Sequence, residues 1–103
     1  MMHCRLATPA DISPLNALIA DSARALSEAY YTPAQIDALI AHVFGVDSQL
    51  ISDGTYYVID GPDGMPVAAG GWSARRTLYG GDQLKARDDP RLDPSTDAAR
   101  IRA

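Results

Sequence analysis

The sequence predicts a mixed α/β fold ordered β-α-α-β-β, the last two strands forming a hairpin, with a long loop and the start of a fourth strand after it. Three observations carry that order. Ile12, Leu15, Leu18, Ile19, Ala23, Leu26 and Tyr30 recur at helical spacing. Ile36, Leu39, Ile40, Val43 and Phe44 repeat the pattern at i, i+3, i+4, i+7 and i+8. Two β-rich runs, Thr55–Asp60 and Val67–Trp72, flank the turn sequence Gly61-Pro62-Asp63-Gly64.

Each element has its own local warrant. His3-Cys4-Arg5-Leu6-Ala7 is a short extended start closed by Thr8-Pro9. The first helix takes Asp11 or Ser13 as its cap, with Pro14 in the first turn, where a missing N–H does little harm. Thr32-Pro33-Ala34-Gln35 is a capping box with proline at the first helical position. Gly45 is placed to end that second helix as a left-handed cap. Asp47–Ser52 reads as one short helical turn. Thr55-Tyr56-Tyr57-Val58-Ile59-Asp60 is apolar on both faces, the pattern of a strand inside a sheet. In the turn after it, proline sets φ and the glycines accept positive φ. From Ser73 to Asp97 periodicity fails, and Gly80-Gly81, Asp88-Asp89-Pro90 and Asp93-Pro94 break the chain. A loop of this length in a small domain is functional or disordered, so it is expected to be the most mobile internal segment. Ala98–Ala103, an apolar residue between two arginines near its end, reads as the beginning of a strand.

At 103 residues the chain is one small domain at most. Chains of this size bury only about 60–70% of their unfolded surface, so packing or association must supplement the core. The net charge of −4 argues against a dedicated nucleic-acid binder. No apolar run is long enough to span a membrane, and the opening residues lack a signal-peptide pattern. A single cysteine, Cys4, excludes an internal disulfide framework, and a cytoplasmic setting is expected. Charge is uneven: residues 1–52 hold two arginines against five acids, residues 72–103 seven bases against five. Arg75, Arg76, Lys85 and Arg87 form the basic part, read as a solvated face or rim, with anion binding as the alternative.

Several segments together resemble one family. Arg5-Leu6-Ala7-Thr8-Pro9-Ala10-Asp11-Ile12, Tyr30-Tyr31-Thr32, Asp53-Gly54-Thr55-Tyr56-Tyr57-Val58, Gly70-Gly71-Trp72-Ser73 and Leu92-Asp93-Pro94 are similar to a bacterial subgroup of the GNAT family of N-acyltransferases. One lysine, one glutamate and abundant Ala, Arg and Asp point to a GC-rich bacterial coding sequence. The resemblance implies the N-terminal half of the family's fold, with Ala99–Ala103 opening its central strand. It also implies transfer of acetyl from acetyl-CoA to a small-molecule or protein amine. The family holds the pyrophosphate on a loop of pattern R/Q-x-x-G-x-G/A at a helix N-terminus. That pattern does not occur here, and neither Gly70-Gly71 nor Gly80-Gly81 precedes a periodic helix. The expectation is therefore a fragment, inactive alone, with no catalytic residue of its own and no tight hold on acetyl-CoA. The tyrosine that often protonates the departing thiolate would follow Ala103.

By the same resemblance Tyr30, Tyr31 and Trp72 are the candidate acceptor contacts. The bland readings are that Tyr30 extends the apolar stripe of the first helix, that Tyr31 is surface, and that Trp72 packs in the core. His3, Cys4 and His42 match no zinc spacing, so no metal site is expected, and Cys4 reads as an inert buried thiol. Asp88, Asp89 and Asp93 read as turn formers and caps. An open edge at Arg100–Ala103 and uncovered helix surface together lead to an expected homodimer or larger assembly, through the last strand or the adjoining face. The alternative is a complete small α/β module whose last strand is completed by a partner chain.

Overall fold

The computed structural model describes residues 2–76, 81–82 and 90–102. In chain order these form β1 (His3–Leu6), a 3-10 turn (Pro9–Asp11), α1 (Ile12–Ser27), α2 (Pro33–His42), α3 (Ser48–Asp53), β2 (Tyr56–Asp60), β3 (Pro66–Ser73) and β4 (Arg100–Arg102). The strands make one antiparallel sheet in the order β1-β2-β3-β4. No described helix is long and apolar enough to cross a membrane.

Alternation along the strands divides the sheet into two unlike faces. Arg5 lies opposite Val58, Val58 opposite Ala69, and Tyr56 opposite Gly71, which lies opposite Arg102. This face carries the core: Val58, Leu15 and Leu50 are fully withdrawn from water, with Tyr56, Val46, Ile51 and Ala7 around them. Full burial of a Val or Leu side chain contributes about 1.5–3 kcal/mol. Residues of the other parity, Leu6, Tyr57 and Trp72 among them, stay exposed. The expected strand is therefore interior to the sheet but buried on one face only. Trp72 is not in the core, and Cys4, on the same side, is exposed and not buried.

Asp11 stands at the N-cap of α1 as expected, but its carboxylate turns back to the 3-10 turn, accepting from Thr8 N–H at 2.7 Å and Thr8 Oγ1 at 3.2 Å. The helix ends depart from expectation at two points. The first helix stops at Ser27, because the Tyr30 and Tyr31 N–H groups both close onto the Ser27 carbonyl. Thr32, which precedes a proline, must then be extended, and it is, at ψ 157°. Tyr30 consequently leaves the apolar stripe and is 81% exposed. The capping box of α2 forms as expected, with Thr32 Oγ1 accepting from Gln35 N–H and Gln35 Oε1 from Thr32 N–H. Gly45 is not its left-handed cap. α2 ends at His42, and the Val43 and Phe44 N–H groups both donate to Leu39 O. The left-handed cap belongs instead to Gly54, at φ +73°, which closes α3.

The long loop is pinned wherever it is described. Leu92 N–H donates to Ala74 O, Gly81 N–H to Val43 O and Asp82 N–H to Val46 O. Asp93 caps its own turn as expected, accepting from Ser95 N–H and Oγ. The expectations for Lys85, Arg87, Asp88 and Asp89, and for most of the loop's mobility, fall on residues outside those described.

Two contacts fix the sheet. At Gly71 the backbone of β3 passes so close to β2 that any Cβ would overlap the Thr55 carbonyl oxygen and Tyr56 Cα. Arg5 ties β1 to both neighbours. Its guanidinium donates to Asp60 at 2.7 Å and, with both terminal nitrogens, to Asp11 at 2.8 Å. Those Arg5 hydrogen bonds, aided by Thr8 against the opposing effect of burial, hold the Asp11 carboxyl well below the usual carboxylate range.

Gly71→Ala is expected to destabilise the fold by more than about 2 kcal/mol in urea melts, because backbone must move to admit the methyl. Gly70→Ala, whose Cβ would meet only Arg102 O at 3.4 Å, should cost far less. A depressed folded-state pKa stabilises above the unfolded carboxylate pKa of about 4 and is lost as pH falls through the folded one. Tm should therefore drop on acidification below about pH 4, and Asp11→Asn should flatten part of that drop.

Candidate functional site

The helix-covered face holds a cleft between α1 and β3. It encloses about 470 Å³, with Leu18, Ile19 and Leu26 of α1 on one side, Val67 and Ala69 of β3 on the other, and Phe44 and Tyr56 closing it. Its walls are mostly apolar because α1 turns its stripe to the sheet, while Ala68 and Ala69 of β3 are too small to fill the space. A volume of this order suits a small organic ligand.

Below the cleft lies a polar cluster. Tyr56, Gly71 and Arg102 lie in one row across three strands. Arg102 Nη2 reaches Asp47 Oδ2 at 3.5 Å, and both residues are buried, at 8% and 5% exposure. The other Asp47 oxygen caps α3 by accepting from Gln49 N–H at 3.0 Å. Burial pushes the Tyr56 phenol upward, Arg102 opposes that, and Asp47 adds to it. Tyr56 is thus a neutral hydroxyl at physiological pH.

A second polar link borders the same end of the sheet. Arg75 donates to Asp53 from Nε at 2.9 Å and Nη2 at 2.7 Å, and Gln49 Nε2 donates to the same carboxylate at 3.0 Å. The Arg75 hydrogen bonds, and after them Gln49, lower the Asp53 pKa against burial. Arg75 is therefore not the rim charge expected of it; its guanidinium anchors the loop to α3.

The sequence-predicted contacts do not share one cleft. Tyr30 and Tyr31 lie just past the end of α1. Tyr31 borders a shallow groove along α2 with Gln35, Leu39 and His42. Trp72 lies on the opposite face of the sheet, opposite Ile101. Among the described residues no three His, Cys, Asp or Glu side chains converge as metal ligands. Sequence reading missed Tyr56, Asp47 and Arg102. The one available signal was the alternation Arg100-Ile101-Arg102, which puts both arginines on one face.

No family model, curated protein or solved structure matches this chain.

The described helix N-termini do not suit a pyrophosphate. Thr32 and Asp47 already cap α2 and α3, and the Asp11 carboxylate stands at the start of α1. Two of the three carry negative charge where an anion would have to sit.

Arg102→Met should cost about 3–5 kcal/mol in urea melts, since it leaves the Asp47 carboxylate buried without that cation. Adding Asp47→Asn, which keeps the α3 cap, should recover part of the loss; strict additivity would show that the two groups are not coupled.

Proposed function

We propose that this chain forms the acceptor side of a GNAT-type N-acyltransferase, in a protein that moves acetyl from acetyl-CoA to an amine. The observation that carries the reading is topological. The helices α1 and α2, followed by the short α3, intervene between β1 and β2, α1 packs on the sheet, and β1-β2-β3-β4 then pair in sequential antiparallel order. That is the arrangement the sequence resemblance implies for the family's N-terminal half. The cleft between α1 and β3 supplies an apolar lodging for the body of a small amine, with Tyr30 and Tyr31 just beyond its α1 end. Trp72 stands on the other face and is left out of that lodging.

The described residues do not fit the acetyl-CoA pyrophosphate, so the chain's own contribution is acceptor binding and not cofactor binding. Calorimetry of the 103-residue chain with acetyl-CoA is expected to show no micromolar affinity, which would need about 8 kcal/mol of favourable contacts. The coding sequence beyond the Ala103 codon tests the reading itself. Support is a continuation, in frame or across a frameshift, that carries the R/Q-x-x-G-x-G/A pattern and whose product releases CoA from acetyl-CoA when amines are added. A stop with no such pattern in any frame overturns it and favours a small α/β binding module.

A further inference from the structure

The chemistry of the cleft between α1 and β3 narrows what it can hold. Among the described residues that line it none is charged, and its polar side chains are three hydroxyls, those of Ser22, Ser27 and Tyr56. Ser22 is exposed and Ser27 half-buried, whereas Tyr56 is 2% exposed. A tyrosine hydroxyl buried to that degree ordinarily has a hydrogen-bond partner. The Tyr56 hydroxyl has none among the described residues, and Tyr56 borders the cleft. The charges that act on the phenol, Arg102 and Asp47, are themselves buried and face one another at 3.5 Å.

We propose that the cleft selects an acceptor amine that is uncharged at physiological pH, an aromatic amine of the aniline class, and that the Tyr56 hydroxyl reads its amino group. The proposal rests on the reading of this cleft as the acceptor lodging. An alkylamine, with a pKa near 10, is neutral in only about one molecule in a thousand at pH 7. Its ammonium would enter a cleft with no carboxylate among the described lining residues, and an unpaired charge is far costlier to desolvate than a neutral amine. An arylamine delocalises its lone pair into the ring, stays neutral and escapes that cost. Its ring suits apolar walls that include Phe44, and about 470 Å³ holds a small aromatic body. The phenol and the amino group then satisfy each other, where each would otherwise be buried without a partner. In the acyltransferase reading β4 continues in register past Ala69 and Val67, so the next residues widen the sheet beside the cleft and leave its space to a ligand.

NMR titration of the intact 103-residue chain at pH 7 tests it with two isomers, 4-ethylaniline and 2-phenylethylamine, which contain the same atoms and differ in basicity. The expected result is that 4-ethylaniline binds with a dissociation constant of about 1 mM or below and shifts the amides of Leu18 and Ala69. 2-Phenylethylamine should bind at least about tenfold more weakly. Ethylbenzene, which lacks the amino group, isolates the hydroxyl. Tyr56→Phe, which removes only an unpartnered oxygen, should shift the preference between 4-ethylaniline and ethylbenzene at least about fivefold toward ethylbenzene. A merely structural role for that hydroxyl would move both ligands alike. Equal binding of the two isomers, preference for the cation, or a preference unmoved by Tyr56→Phe overturns the proposal. So does an absence of binding, or shifts confined to the α2 groove or to the Trp72 face. These outcomes turn on binding by this chain, whereas the acyltransferase reading is decided by the sequence beyond the Ala103 codon, so the failure of one is distinguishable from the failure of the other.

Discussion

Packing of the helix-side residues of β2 against α1 and α3 is the constraint on which the other features depend. Val58, Leu15 and Leu50 share one water-free layer, and Tyr56 extends it toward β4. Because side chains alternate along a strand, burying Val58 and Tyr56 on one side commits Tyr57 and Ile59 to the other. Register then carries that choice to the neighbouring strands. Gly71 is required where β3 crosses Tyr56, because the Thr55 carbonyl and Tyr56 Cα occupy the place of any side chain there, and the same register sets Arg102 opposite Gly71. Cleft, ion pair and bare face are three consequences of a single register.

Three arginines paired with aspartates surround that core, and through Asp60, Asp53 and Asp47 each joins segments distant in sequence. Arg5 holds the start of α1 and the end of β2, Arg75 ties the loop to α3, and Arg102 ties β4 to the residue that caps α3. Buried ion pairs are poor sources of net stability, since desolvation offsets much of the Coulomb attraction. Here their effect is positional. A chain with so small a core has many compact alternatives of similar energy, and a charge that must find one particular partner excludes most of them.

Signals within a few residues were legible. The Thr32–Gln35 box, the Gly61–Gly64 turn, the Asp93 cap and the order of strands and helices all follow from short-range chemistry, which the fold does not override. Contacts between distant segments were not. Gly45 follows a helical stripe, yet the double hydrogen bond to Leu39 O ends α2 before a left-handed residue is needed. Tyr30 fits the spacing of α1, but the closing turn on Ser27 takes it out of the helix. Cys4 and Trp72 read as core because apolar residues in strands usually are; which face is covered is decided by where α1 lands. The Asp47–Arg102 pair spans the whole sheet, and no local pattern announces it.

An apolar cleft lies on one face of the sheet, beneath α1, and an exposed, uncharged surface lies on the other. Both rest on one-sided coverage. Trp72 is the single tryptophan, and it lies on the uncovered face, so its fluorescence reports that coverage directly. In the dilute chain, below any self-association, its emission should resemble that of a solvated indole and be readily quenched by acrylamide. A blue-shifted emission that acrylamide cannot reach at any dilution would contradict one-sided burial.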